Sequence, residues 1–180
     1  MFQIAILLSD GFDEWAVKYS KPLFKKKGYT YQLISPKEGE FVRSWNYKDW
    51  GPSYAIDQHI NETEVATYDA LIMPGGALSV DNIRTDRSVL SFVQKFIDQD
   101  RVIGTLCHGV WPLLELGFVR SKRLTTVPTI RTDIVNAGGI WEDKPAVVDG
   151  NLVSSRTSED LPAFHDALQR VLESRLQDAT

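Results

Sequence analysis

The sequence predicts an α/β fold, a mostly parallel sheet with helices on both faces. Three observations carry that expectation. Short apolar runs alternate along the chain with amphipathic stretches, the pattern of a parallel sheet covered by helices. Several runs are cut at once by turn residues, at Asp10-Gly11, Ser35-Pro36 and Pro74-Gly75-Gly76. The length of 180 residues, with 43% hydrophobic and 24% charged, suits one globular domain over residues 1–180.

The first strand is read from Gln3 to Ser9, apolar enough to be buried on both faces. A helix follows from about Glu14 to Lys27, with Gly28 as its stop. Tyr31–Ile34 and Ala70–Met73 read as further strands. Ser88–Asp98 carries a broad apolar stripe at helical spacing. Val102–Leu106 is the next strand, and Val110–Leu116 a helix stopped by Gly117. Another helix begins after Thr129 and ends at Gly138-Gly139. Ala146–Val153 forms a hairpin around Asp149-Gly150, and a helix from about Leu161 to Leu176 closes the chain. Between Glu40 and His59 the aromatics Trp45, Tyr47, Trp50 and Tyr54 crowd around Gly51-Pro52. That segment reads as a self-packed excursion over the sheet edge, or else as a pocket wall or subunit contact.

Charge and cysteine usage narrow the function classes. The net charge of −4 repels phosphate backbones and argues against nucleic acid as a partner. One cysteine cannot form an internal disulfide, and Ile4–Leu8 lacks the basic start and cleavage site of a signal peptide, so a cytoplasmic setting is expected. No apolar run approaches the ~18 residues of a membrane span. His59, His108 and His165 lie without ligand spacing, and neither a metal nor a cofactor is expected. His59 and His165 read as polar surface positions.

The chemistry points to Cys107. A buried strand runs straight into Thr105-Leu106-Cys107-His108-Gly109 and then a helix. This is the small-x-nucleophile-x-Gly spacing of a nucleophile elbow, with Cys in place of Ser. A helix start offers unpaired N–H groups that favour a thiolate, so a lowered Cys107 pKa is expected. In open parallel sheets ligands bind beyond the carboxyl ends of the strands. Three such ends are marked here, by Asp10–Glu14, by Pro74-Gly75-Gly76 and by Cys107-His108-Gly109. Gly75 and Gly76 can turn bare N–H groups toward a reacting carbonyl, with the His108 N–H completing an oxyanion hole. Asp13, Glu14 and Trp111 are further candidate substrate contacts. Neighbouring side chains at a sharp turn need not face each other, so adjacency alone does not make His108 the base for Cys107.

Four stretches carry a family resemblance. They are Tyr68–Gly76, Val102–Gly109, Ile130–Gly139 and Val147–Arg156, the last followed by Asp160–Phe164. Together they resemble the ThiJ/PfpI superfamily of DJ-1-like proteins, and within it the PfpI-type intracellular peptidase branch. The resemblance implies a flavodoxin-like three-layer sandwich, similar to class I glutamine amidotransferases, with the reactive cysteine at Cys107 and the family's histidine at His108. It implies that an acid orienting this histidine comes from a neighbouring subunit, at the position filled here by Asp81, and that the chain forms a homodimer or higher oligomer. Two departures stand out. Acids usually occupy two positions three apart after the first strand; Asp13 fills the first, but Ala16 stands where a Glu usually bonds the cysteine. Val127 precedes Pro128 where peptidase-like members often have Tyr.

The function expected is a cysteine-dependent enzyme of the glyoxalase, deglycase or hydrolase kind, acting on a small reactive carbonyl or its adduct. With Ala16 in place of the Glu, turnover is expected to be slow and Ala16→Glu to raise it. The alternatives are a stress or redox-sensing protein using reversible Cys107 oxidation, and a specialised hydratase or lyase.

Overall fold

The computed structural model describes residues 1–178. Along the chain run β1 (Gln3–Leu7), β2 (Phe12–Asp13), α1 (Glu14–Lys27), β3 (Thr30–Ser35), β4 (Phe41–Trp45), β5 (Trp50–Ala55) and β6 (Gln58–His59). Then come β7 (Ala70–Met73), α2 (Ala77–Ile83), α3 (Arg87–Asp98), β8 (Val102–Leu106), α4 (Trp111–Glu115), β9 (Arg123–Leu124) and α5 (Arg131–Asn136). The chain continues through β10 (Ile140–Trp141), β11 (Ala146–Asp149), β12 (Leu152–Ser155) and α6 (Leu161–Asp178).

The central sheet has the order β11-β12-β8-β7-β1-β3-β6, and every pairing in it is parallel except β11 with β12. Because successive side chains of a strand point to opposite faces, β1 divides its apolar residues between two cores. Ala5 and Leu7 join α3 through Val89, Phe92 and Phe96. Ile4 and Ile6 join α1 and α6 through Val17, Phe24, Phe164 and Leu168. Gly104 lets α6 approach the sheet, since a Cβ there would lie 2.7 Å from the Phe164 ring. Among the described residues no helix is long and apolar enough to cross a membrane.

Several boundaries differ from the sequence expectation, each for a local reason. β1 ends at Leu7 rather than Ser9, because the Ser9 N–H turns to the Ser79 hydroxyl at 2.8 Å. The hairpin loop is Gly150-Asn151, one residue later than Asp149-Gly150, since Asp149 pairs with Leu152 and Gly150 takes φ +59°. The Glu40–His59 segment folds into strands. β4 and β5 form an antiparallel hairpin that pairs with β2, while β6 extends the edge of the main sheet. His165 is not at the surface either. It is 2% exposed, packed between α6 and α1 against Phe24 and Phe164.

Candidate active site

Three strand ends converge on one point. β8 leads into Cys107, which takes φ +57° in the left-handed region, as an elbow nucleophile does. Gly109 follows because a Cβ there would run into the Met73 carbonyl oxygen. Gly75 holds φ +87°, and a Cβ on it would stand 2.6 Å from the Leu106 oxygen and 3.2 Å from the Cys107 Cβ. Gly76 holds φ +86° against the Gly11–Asp13 backbone. Cys107 is buried by this close approach and lines a cavity of about 620 Å³.

The two side chains of the elbow do face each other, for His108 Nδ1 lies 3.1 Å from Cys107 Sγ. The histidine ring is held from behind by Trp111, edge-on at 4.8 Å. The Arg84 guanidinium covers the Trp111 ring at 4.7 Å and is itself fixed by Glu115 through bonds of 2.7 and 2.9 Å. Trp111 is therefore a support of His108 and does not line the cavity, contrary to its expected place among the substrate contacts. Burial holds the His108 pKa below its usual 6.5, against the opposing pull of Asp133 on α5. The ring is thus neutral near pH 7 and able to accept a proton.

The expected lowering of the Cys107 pKa is reversed. Burial, with 7% of the residue exposed, pushes the thiol up to about 12, and the Asp13 charge adds to this. A hydrogen bond from the His108 N–H pulls the other way without prevailing. The helix-terminus argument fails because Cys107–Val110 is a 3-10 turn leading into an α4 of only five residues, too short to gather a useful dipole.

Asp13 brings a carboxyl group to the cavity that Cys107 lines. It is 1% exposed and caps α1, its Oδ1 accepting from the N–H groups of Trp15 at 2.9 Å and Ala16 at 3.3 Å. Its Oδ2 accepts from the Tyr47 hydroxyl at 2.7 Å. Burial raises its pKa despite these three donors, and the Glu14 charge contributes in the same direction. Ala16 brings no carboxylate from its own position, while Asp13 lines the same cavity as Cys107 and interacts with it electrostatically. Glu14, expected as a substrate contact, points elsewhere. Its carboxylate packs beside Gly51 of β5 and stays out of the cavity.

Trp45 and Tyr47 form one wall of the cavity, Gly76, Ala77 and Leu78 a second, and Val127 and Thr129 with Thr157, Ser158 and Glu159 a third. Asp81 is exposed on α2 and does not line this cavity within the chain. Tyr47, Asp133 and Ser158 were not singled out from the sequence for these roles. Only the aromatic crowding around Tyr47 marked its segment, and no spacing links it to Asp13. Among the described residues no group of three His, Cys, Asp or Glu side chains is placed to hold a metal ion.

Known proteins share this arrangement of fold and chain. Over 171 residues the sequence is 34% identical to "Protein/nucleic acid deglycase 2" of Escherichia coli (strain K12), covering 94% of this chain and 97% of the relative. It is 30% identical over 162 residues to "Deglycase TK1284" of Thermococcus kodakarensis, covering 90% and 94%. Among solved structures, a two-domain protein of Anabaena variabilis with DJ-1/ThiJ/PfpI-like and ferritin-like domains superposes with a TM-score of 0.87 at 28% identity. That match covers 98% of this chain and 48% of the other, so the chain spans about half of the two-domain protein. The likeness shows the flavodoxin-like α/β sandwich. With residues 2–170 matched by the DJ-1/PfpI family, the chain belongs to that family.

Proposed function

We propose that this chain is a cysteine-dependent enzyme of the deglycase or glyoxalase kind, acting on a small reactive carbonyl or its adduct. The observation that carries the reading is the Cys107 Sγ to His108 Nδ1 approach of 3.1 Å at the base of a cavity that also holds a buried carboxyl group. The names of the deglycase relatives support it.

The thiol is protonated at rest, so it reacts with general-base help rather than as a standing thiolate. As Sγ bonds to the carbonyl carbon, the thiol proton passes to neutral His108 and the carbonyl oxygen gains the negative charge. N–H groups at Gly75-Gly76 and His108 receive that oxyanion. Attack on an aldehyde leads to a hemithioacetal, and attack on an acyl donor to a tetrahedral intermediate that becomes a thioester when the bond to the leaving group breaks. Protonated His108 then returns its proton to the oxyanion or the leaving group. Asp81 of a neighbouring subunit orients His108, which makes a homodimer or higher oligomer the working form.

The test is turnover of methylglyoxal and of methylglyoxal-modified peptides by the wild type and Cys107→Ser. Turnover by the wild type with a loss of about 10²-fold or more in the variant is expected. Equal rates in the two proteins would overturn the reading.

A further inference from the structure

We propose that Glu159 is a specificity-determining residue at the mouth of the Cys107 cavity. No basic side chain offsets its carboxylate there, so it turns away carbonyl compounds that carry a carboxylate of their own and admits neutral or cationic ones. The inference rests on Cys107 being the nucleophile of the proposed reaction.

The charge balance of the cavity walls carries it. The lining runs from buried Cys107, Asp13 and Gly76 at the bottom to exposed Tyr47, Leu78 and Glu159 at the mouth. Asp13 and Glu159 are the acids of that lining, and among the described residues no Lys or Arg side chain joins it. The basic residue nearest to Glu159 in sequence is Arg156, which is engaged elsewhere. Its guanidinium donates to the two oxygens of Asp160 at 2.9 and 3.0 Å and to Asp143 at 2.9 Å. Glu159 enters no hydrogen bond or ion pair among the described residues, so its side chain is left to the cavity and the solvent. The turn Ser158–Asp160 leads into α6, whose start favours an acid, but Asp160 stands one residue closer to it than Glu159.

The walls strengthen the effect. Trp45, Tyr47, Leu78 and Val127 give the cavity an apolar surround, and low-dielectric walls focus the field of a charge into the space between them. Thr129, Thr157 and Ser158 add hydroxyl groups but no positive charge. Burial keeps His108 neutral near pH 7, so it offers no cation either. A carboxylate that enters gives up water for a space that holds acids and no partner, whereas an uncharged carbonyl compound meets no such cost.

The experiment compares a neutral with an anionic probe of nearly the same size. Iodoacetamide and iodoacetate both alkylate the Cys107 thiolate, so the thiolate fraction cancels from the ratio of their rates. The reference is the same ratio for the cysteine of an uncharged peptide. The wild type is expected to favour iodoacetamide about fivefold more than the peptide does at low salt. The preference should shrink at about 1 M salt, where the screening length is about 3 Å. Glu159→Gln is expected to return the ratio most of the way to the peptide value, and Glu159→Lys to carry it further in the same direction. A wild-type ratio equal to that of the peptide overturns the inference. So does an unmoved ratio in Glu159→Gln, the result if Glu159 served only the start of α6 or narrowed the mouth by its bulk. The same comparison is made as kcat/KM on phenylglyoxal and para-carboxyphenylglyoxal, where a preference for the uncharged compound is expected and equal values overturn the inference. Alkylation needs no turnover. The expected ratios with no carbonyl turned over would therefore overturn the proposed function alone, and turnover with a peptide-like ratio would overturn this inference alone.

Discussion

In the proposed reaction Cys107 and His108 would divide the chemistry in an order opposite to that of a preformed ion pair. With the thiol pushed up to about 12 and the imidazole held below 6.5, the resting pair is uncharged. Two consequences can be measured. Wild-type Cys107 should show an alkylation midpoint well above the free-thiol value of about 8.5. The kcat/KM on carbonyl substrates should be level near pH 7 and fall on the acid side of the usual histidine value, as His108 takes up a proton and can no longer accept one. A second histidine titrates into stability instead. Ser20 donates its single hydroxyl proton to the Ala16 oxygen at 2.6 Å, so His165 must carry its proton on Nε2, 2.8 Å from that hydroxyl. Its Nδ1 is left bare among phenylalanines, and burial drives its pKa down to about 4. The unfolded chain then binds the extra proton first, near the ordinary 6.5 of a free histidine. Stability should be level above about pH 6.5 and decline from there to about pH 4, by up to about 1.4 kcal/mol per pH unit. Urea unfolding at several pH values should show this slope flattened in His165→Phe. Cys107 and the glycines were legible in the sequence because an elbow is a local pattern of five residues. Asp13 and Tyr47 were not legible as a pair, being brought together by a hairpin that no short-range spacing encodes.

At the scale of elements, β7, β8 and α3 follow the sequence expectation closely, since their apolar runs or stripes are uninterrupted and end at strong turn residues. β4 and β5 escaped it because they carry polar residues and a proline, and their outer faces are exposed at Phe41 and Trp50. α2 escaped it because its seven residues are too few to show a period. The join between β7 and β8 is the tightest part of the site. Gly109→Ala would press a methyl group into the Met73 carbonyl, a backbone atom that cannot turn aside. We expect a loss of about 1–3 kcal/mol in stability, as for other overpacked sites, together with lower activity. Unchanged stability in denaturant titrations would show that β7 can retreat. The Arg84–Trp111 stack makes a gentler test. Arg84→Ala should lower kcat by loosening His108 while leaving substrate KM near the wild type, because neither Arg84 nor Trp111 lines the cavity.

The molecule as a whole opens its cavity, lined by Cys107 and Gly76, at the carboxyl edge of one parallel sheet, the end of the strands to which the fold class alone pointed. What the whole chain withheld is assembly. Asp81 is exposed on α2, outside the cavity of its own subunit, and the partner role proposed for it demands a second chain. Activity should therefore fall as the protein is diluted through its dissociation range, and Asp81→Asn should lower kcat at every concentration. Light scattering alongside the assay would show whether a monomer keeps full turnover, an outcome that removes Asp81 from the mechanism. The deep seat of the one sulfur also bears on how the protein ages. Peroxide attacks thiolates that solvent can reach, and a sulfenic acid persists or resolves according to whether a second thiol is near. This chain offers a protonated thiol, 7% exposed, and no second cysteine anywhere in its sequence. It should stay reduced in air, form no covalent dimers on storage, and make a poor peroxide sensor.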